Sequence, residues 1–199
     1  MSKKTWWVGG DKGVKVKAPS SYVSPMPKCH PNKKFTIHNE GVNRKCDGTG
    51  QHVKWLAQYA VDQKIHYHFV YCPLCGHWAQ CAPVDTAARA MKGGSVNSCG
   101  NSANRCGTLN IQVCLAGYGT QKLPPPKKWK NAKKFRKIAE EWGIPSKSRN
   151  LSKVNRSRDK WNNKKTGWHG HSNGPLDDHT DPTANGWDVD AFKKDVLKK

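Results

Sequence analysis

The run Leu109-Asn110-Ile111-Gln112-Val113-Cys114-Leu115-Ala116-Gly117 constrains the fold more than any other stretch of this chain. It is the most apolar strand candidate, and such a strand belongs at the centre of a sheet. Phe35-Thr36-Ile37-His38-Asn39 reads as a short strand with β-branched and aromatic residues. His66 to Tyr71 reads as another, and His77 to Cys81 as its hairpin partner across the turn Cys72–Gly76. Between Gly50 and Gln63 the residues Val53, Leu56, Ala57, Ala60 and Val61 recur at helical spacing. Pro83 to Met91 is expected to be a short helix with its proline in the first turn. Trp129, Phe135, Ile138, Ala139 and Trp142 mark a basic amphipathic helix that ends at Gly143. A closing helix has Asp188 as N-cap and Val189, Phe192 and Val196 as its buried face. Strands mixed with helices predict an α/β domain around a mixed central β-sheet flanked by helices.

At 199 residues the expectation is one domain over 1–199. Residues 1–33 read as an irregular leading segment and Leu123–Pro126 as a stiff linker. Residues 122–165 make a basic helix and loop. No run has the length of a membrane span, and the first residues lack the apolar core of a signal peptide. The expectation is therefore a soluble monomer, made in the cytoplasm without a signal peptide.

The formal net charge is +21 and unevenly placed. From Lys122 to Lys165 there are 16 Lys or Arg against Glu140, Glu141 and Asp159, a local surplus of 13. Such a field attracts polyanions, whether nucleic acid, acidic wall polymers or anionic lipid, and charge does not choose among them.

Eight cysteines in a cytoplasm-made chain point to metal sites or buried thiols before disulfides. Cys72-Pro73-Leu74-Cys75-Gly76 has the form of a zinc knuckle, but a second C-x-x-C is missing. Cys81, Cys99 and Cys106 are the nearest completing candidates, with Cys29 and Cys46 flanking another segment. A structural zinc, disulfides among Cys72, Cys75, Cys99 and Cys106, and unpaired thiols all stay open. Cys114 reads as packing.

Chemistry concentrates in the run Gly170 to Pro182, which holds His171, His179, Asp177, Asp178 and Asp181. Its glycines, prolines and Asp-Asp pair favour a loop over a helix. Such a loop is either a solvated acidic turn or part of a metal-dependent site, and catalytic zinc takes three protein ligands with a fourth position for water. Gly170-His171-Ser172-Asn173-Gly174 also fits G-x-S-x-G, but that elbow needs an apolar strand before it and a helix after it. Lys164-Lys165-Thr166-Gly167 and Pro175 argue for a chance match.

Taken in order, Phe35-Thr36-Ile37-His38, Tyr67-His68-Phe69-Val70, Ile111 to Gly117, Gly167-Trp168-His169-Gly170-His171 and Asp178-His179-Thr180-Asp181-Pro182 resemble the type 2 N-acetylmuramoyl-L-alanine amidase family. That family includes phage endolysins and peptidoglycan-recognition proteins, and this chain looks closest to endolysins of phages infecting actinobacteria. The resemblance implies a zinc amidase fold, one catalytic Zn2+ on His38, His171 and Asp181, and bacterial peptidoglycan as substrate. It implies Tyr67 beside the attacking water and His179 at the oxyanion, where many relatives carry a lysine. Asp181 stands where many relatives use cysteine, and Thr183 replaces a glycine. Glu40, two residues after His38, is either a second acid near the site or the start of a turn. The product would be released peptidoglycan stems, made by a protein that acts on the wall after leaving its host cytoplasm. A peptidoglycan-binding module without catalysis and a basic nucleic-acid-binding protein are the rival functions.

Overall fold

The structure is a computed structural model. It describes residues 5–7, 12–26, 31–40, 44–91, 104, 107–117, 123–146, 161, 166–174, 179, 181 and 188–198. In chain order the elements are β1 (Gly13–Lys15), β2 (Ser24–Pro25), β3 (Lys33–Asn39), α1 (Gln51–Asp62), β4 (Phe69–Tyr71), β5 (Trp78–Gln80), β6 (Thr86–Ala87), β7 (Leu109–Leu115), α2 (Ala132–Glu141), β8 (Gly167–Gly170) and α3 (Val189–Phe192). A π-helical turn, Lys193–Leu197, continues α3. Six strands form one sheet in the order β1-β5-β4-β7-β3-β8, and β2 pairs with β6 apart from it. β4, β7, β3 and β8 run parallel, while β5 is antiparallel to β4 and carries β1 in its own direction. The sheet is therefore mixed, and the expected α/β class holds.

β7 is buried at every position because it lies inside the sheet with cover on both faces. Its odd-numbered residues Leu109, Ile111, Val113 and Leu115 join Phe35, Ile37, Phe69 and Tyr71 in a core closed by α2 and the C-terminal turns. Its even-numbered Cys114, together with Val70 and Ala79, faces Val53, Leu56, Ala57 and Val61 of α1. Side chains alternate along a strand, so one register sorts the two layers. α2 stops where expected: Gly143 takes φ +75°, a left-handed conformation that accommodates a glycine after a helix. Asp188 caps α3 through the Ala191 amide at 2.8 Å.

Three expectations fail, and one of the reasons for discounting the G-x-S-x-G match changes. Pro83–Met91 is not a helix. Thr86 closes one turn onto the Pro83 carbonyl, and the chain then extends so that β6 can pair with β2. Residues 1–33 are not wholly irregular, since β1 adds an edge strand in register with Trp78–Gln80. Leu123–Pro126 is not a linker: Leu123 is buried in the core, and the Trp129 indole N–H donates to the Pro124 carbonyl at 2.8 Å. A strand does precede the G-x-S-x-G match, namely β8, whose Trp168 stacks on Phe35 with ring centroids 4.1 Å apart. Only a short 3-10 turn, His171–Asn173, follows it, and Ser172 is fully buried, so the match still lacks the elbow's helix and its exposed hydroxyl. Most of 92–107 and 147–165 lies outside the described residues.

The α1 side of the sheet also buries histidine. The Gln112 amide donates to His68 Nδ1 at 3.0 Å, and Nε2 lies 3.0 Å from the Thr86 carbonyl, which assigns the proton to Nε2 of a neutral ring. Burial lowers the His68 pKa to about 4. Burial, with Arg89 nearby, lowers that of His66 to about 4. Above the unfolded value of about 6.5 neither state binds the proton. Below it the unfolded chain takes up protons that the folded chain refuses, so stability falls from about pH 6.5 and levels near pH 4. For His68 the loss amounts to about 3 kcal/mol. Urea midpoints measured between pH 7 and pH 4.5 should fall less steeply in His68→Gln than in the wild type. Parallel curves would refute this origin of the acid sensitivity.

Candidate metal centre at the carboxyl edge of the sheet

The four parallel strands end on one edge, the usual place for a site in an α/β sheet. His38 stands near the end of β3 on the α1 side, level with Cys114 of β7. β8 pairs with β3 over Lys34–Ile37 and delivers His171 one residue beyond its own end. The chain returns at Asp181, whose carbonyl accepts the Ser172 amide at 2.9 Å. Its Oδ2 accepts the Asn39 amide at 2.8 Å. That bond leaves Oδ1 turned toward His171 Nδ1, 3.0 Å away.

One ligand atom from each of His38, His171 and Asp181 lies within 4.8 Å of the others. Two donors on one tetrahedral zinc stand about 3.3 Å apart, close to the His171–Asp181 separation. Two imidazoles and one carboxylate are a donor set of catalytic zinc sites, and all three residues here are 9% exposed or less. The residues present therefore fit a zinc ion. Burial raises the Asp181 pKa, but His171 and then His38 more than offset it, so the carboxyl is held below its usual range. It is ionised, as a ligand must be.

Tyr67 and His179 flank this group. The Tyr67 ring meets His38 edge-on at 5.1 Å, and burial, followed by Cys114, Asp181 and Glu40, holds its phenol well above the usual range. It is a proton donor at neutral pH. His179 stacks on His171 at 4.6 Å with its Nδ1 3.6 Å from Asp181 Oδ1, and is 62% exposed on its side chain. All five residues expected at the site are thus neighbours. Cys114, read from sequence as packing alone, is buried but also backs Tyr67. Glu40 is buried, extends the β3 ladder to the Leu115 carbonyl, and accepts the Gly117 amide at 2.6 Å.

The cysteine expectation needs correction. Cys72 and Cys75 do gather further ligands, but these are Cys46 and His52, with one ligand atom of each of the four within 4.8 Å. Cys81 is buried against α1 outside this group, and Cys99 and Cys106 lie outside the described residues. Cys46, Cys72, Cys75, Cys81 and Cys114 are free thiols, so no disulfide joins Cys72 to Cys75. The missed residue was His52, which pairs with Cys46 where Asp47-Gly48-Thr49-Gly50 turns the chain into α1.

No family model matches the chain, and no curated protein matches it in sequence. Solved structures do match its fold. A selenomethionine derivative of AmpD superposes with a TM-score of 0.57 at 16% identity, over 98% of this chain and 99% of that one. The Staphylococcus aureus hydrolase AmiA, solved in complex with its ligand, gives 0.54 at 13% identity, over 96% of this chain and 83% of that one. At such identities the likeness is one of fold.

Proposed function

We propose that this protein is a zinc-dependent peptidoglycan hydrolase, an endolysin that cleaves the amide between N-acetylmuramic acid and L-alanine. The observation that carries the reading is the convergence of His38, His171 and Asp181 at the carboxyl ends of adjacent strands, in a fold shared with a hydrolase. The ordered motifs that resemble type 2 amidases support it independently.

Zinc, which His38, His171 and Asp181 would hold, would supply an activated water near neutral pH and a Lewis acid for the lactyl carbonyl. The chain's own groups do the rest. Asp181, tied to the Asn39 amide, keeps its other oxygen beside His171 Nδ1, where it would serve as a ligand. Tyr67, whose ring meets His38 edge-on at 5.1 Å, orients the attacking water by a hydrogen bond. His179 sits at the solvent side of His171 and donates to the oxyanion as the carbonyl becomes tetrahedral. His179→Ala should lower kcat by about 10²-fold or more with KM little changed. His179→Lys should recover part of the loss, because an ammonium is also a donor. Equal kcat in wild type and His179→Ala would remove the residue from the chemistry.

The basic surface, with Lys133, Lys134 and Lys137 on α2, suits attraction to anionic wall polymers. A monomeric single domain acting on the wall from outside the cytoplasm completes the proposal. No helix among the described residues is long and apolar enough to cross a membrane.

Product analysis tests the bond. Digested walls should yield intact stem peptides beginning with free alanine and no new reducing sugar. Shortened stems would indicate a peptidase, and new reducing ends a glycosidase, which would usually need two carboxylates across the scissile bond. Wall binding without any product would leave a recognition module, and a gel shift with DNA without wall binding a nucleic-acid-binding protein.

A further inference from the structure

A second cluster of metal-binding side chains lies at the same edge of the sheet, beyond β4 and β7. Cys72 and Cys75 belong to the turn between β4 and β5. Cys46 comes from the segment before α1, and His52 from the first turn of α1. All four are drawn to one point, beside the apolar layer that α1 forms with the sheet. We propose that Cys46, Cys72, Cys75 and His52 Nε2 bind a structural zinc ion, distinct from the site at His38.

The His52 ring carries much of the argument. Its Nδ1 stands 2.9 Å from Asp47 Oδ1, so that nitrogen carries the proton and donates it to the carboxylate. Asp47 is fixed in turn by the amides of Thr49, Gly50 and His52 at 2.8, 2.9 and 2.8 Å. Nε2 is left as a bare lone pair, buried and without a hydrogen-bond partner among the described residues. A buried acceptor without a partner costs about 1–3 kcal/mol. Here it lies among three sulfurs, which a neutral thiol cluster serves poorly and a cation serves well. A carboxylate holding the far nitrogen of a metal-bound imidazole is the usual arrangement around zinc.

The donor set and the space agree. Three thiolates and one imidazole form a closed four-coordinate structural set, with no position left for water or substrate. Ligand atoms on one tetrahedral zinc stand about 3.5–3.8 Å apart, within the 4.8 Å that contains these four. Gly117 borders the cluster at φ +95°, and a Cβ there would meet Cys72 Sγ at 3.0 Å and His52 Nε2 at 3.4 Å. The backbone has come as close to the ligands as a glycine allows. The same Gly117 donates its amide to Glu40, two residues after His38. An ion here would brace the wall of the cleft that carries His38.

The test uses the full-length chain, with zinc or cobalt(II) as the probe, and does not depend on the amidase reading. A double variant, His38→Ala with His171→Ala, removes the first site and leaves the second. It should retain about one zinc per chain where the wild type holds about two. Its cobalt(II) form should show the intense near-ultraviolet absorption of thiolate-to-metal charge transfer. That band should weaken by about a third or more in Cys72→Ser, which removes one of three thiolates, and its absence from the double variant would overturn the proposal. Because Cys72→Ser is also at risk of not folding, Asp47→Ala provides a milder readout. It should weaken zinc retention against a chelator by about 10- to 100-fold in the double-variant background. Unchanged retention there, or a Cys72–Cys75 disulfide in freshly purified protein, would also count against the site.

Discussion

His38→Ala or His171→Ala is expected to reduce wall hydrolysis by more than about 10³-fold, since zinc activation is worth several kcal/mol of barrier. Both variants should still melt cooperatively, because the two ligands close no part of either hydrophobic core. Asp181 separates two roles that alanine would merge. Asp181→Asn keeps an oxygen for the Asn39 amide but removes the ligand charge, so activity should fall while stability holds. Asp181→Ala also leaves that amide without its acceptor and should lose about 1–3 kcal/mol of stability as well. Chelation should inactivate the wild type and added zinc restore it. Turnover near the wild-type rate by any of these variants in zinc-free buffer would sink the assignment.

The largest effect on stability is expected at Phe135. Its ring meets Phe35, Phe69, Tyr71 and Trp78 at centroid distances of 6.5, 5.7, 4.7 and 5.9 Å, so one side chain of α2 touches residues of β3, β4 and β5. Phe135→Ala should cost about 3–5 kcal/mol, and Phe135→Leu less than about 2 kcal/mol. Denaturant unfolding measures both through the midpoint at constant slope. Zinc content should be unchanged in the folded fraction, since the ring faces the side of the sheet away from His38. A loss under 1 kcal/mol for the alanine variant would mean that α2 repacks or is not needed to close this layer.

The elements legible in the sequence were those whose own residues determine their conformation. α1, α2, α3, β3 and β7 each carry a full apolar period, and the predicted caps at Asp188 and Gly143 are where the helices turn. β1 and β8 were missed because they are only three and four residues long and Gly13, Gly167 and Gly170 weaken their strand propensity. They extend because β5 and β3 offer them a ladder, which is a tertiary effect. Pro83 gave a helix-start signal that one turn consumed. The five residues around His38 were readable only as an ordered set of motifs, since nothing local relates position 38 to position 171. The adjacency of β3 and β8 makes them neighbours. His52 escaped, and Cys46 was named only as flanking another segment, because a turn separates the two, whereas Cys72 and Cys75 have a recognised spacing.

The double attachment of Asp181 separates geometry from length. Its carbonyl closes the segment onto Ser172 and its carboxylate ties it to the end of β3, so both ligands of this segment are held from its two ends. Between them, Asn173 accepts the Gly170 amide at 3.0 Å and the Gly174 amide donates to the His171 carbonyl at 2.8 Å, which fixes the turn that carries His171. Doubling the length of such a closed loop costs only about 0.6 kcal/mol. Selection can therefore change the number of residues between Asn173 and His179 at little cost, provided that these two are kept. The two ligands, ten positions apart in this chain, would keep their places through such changes.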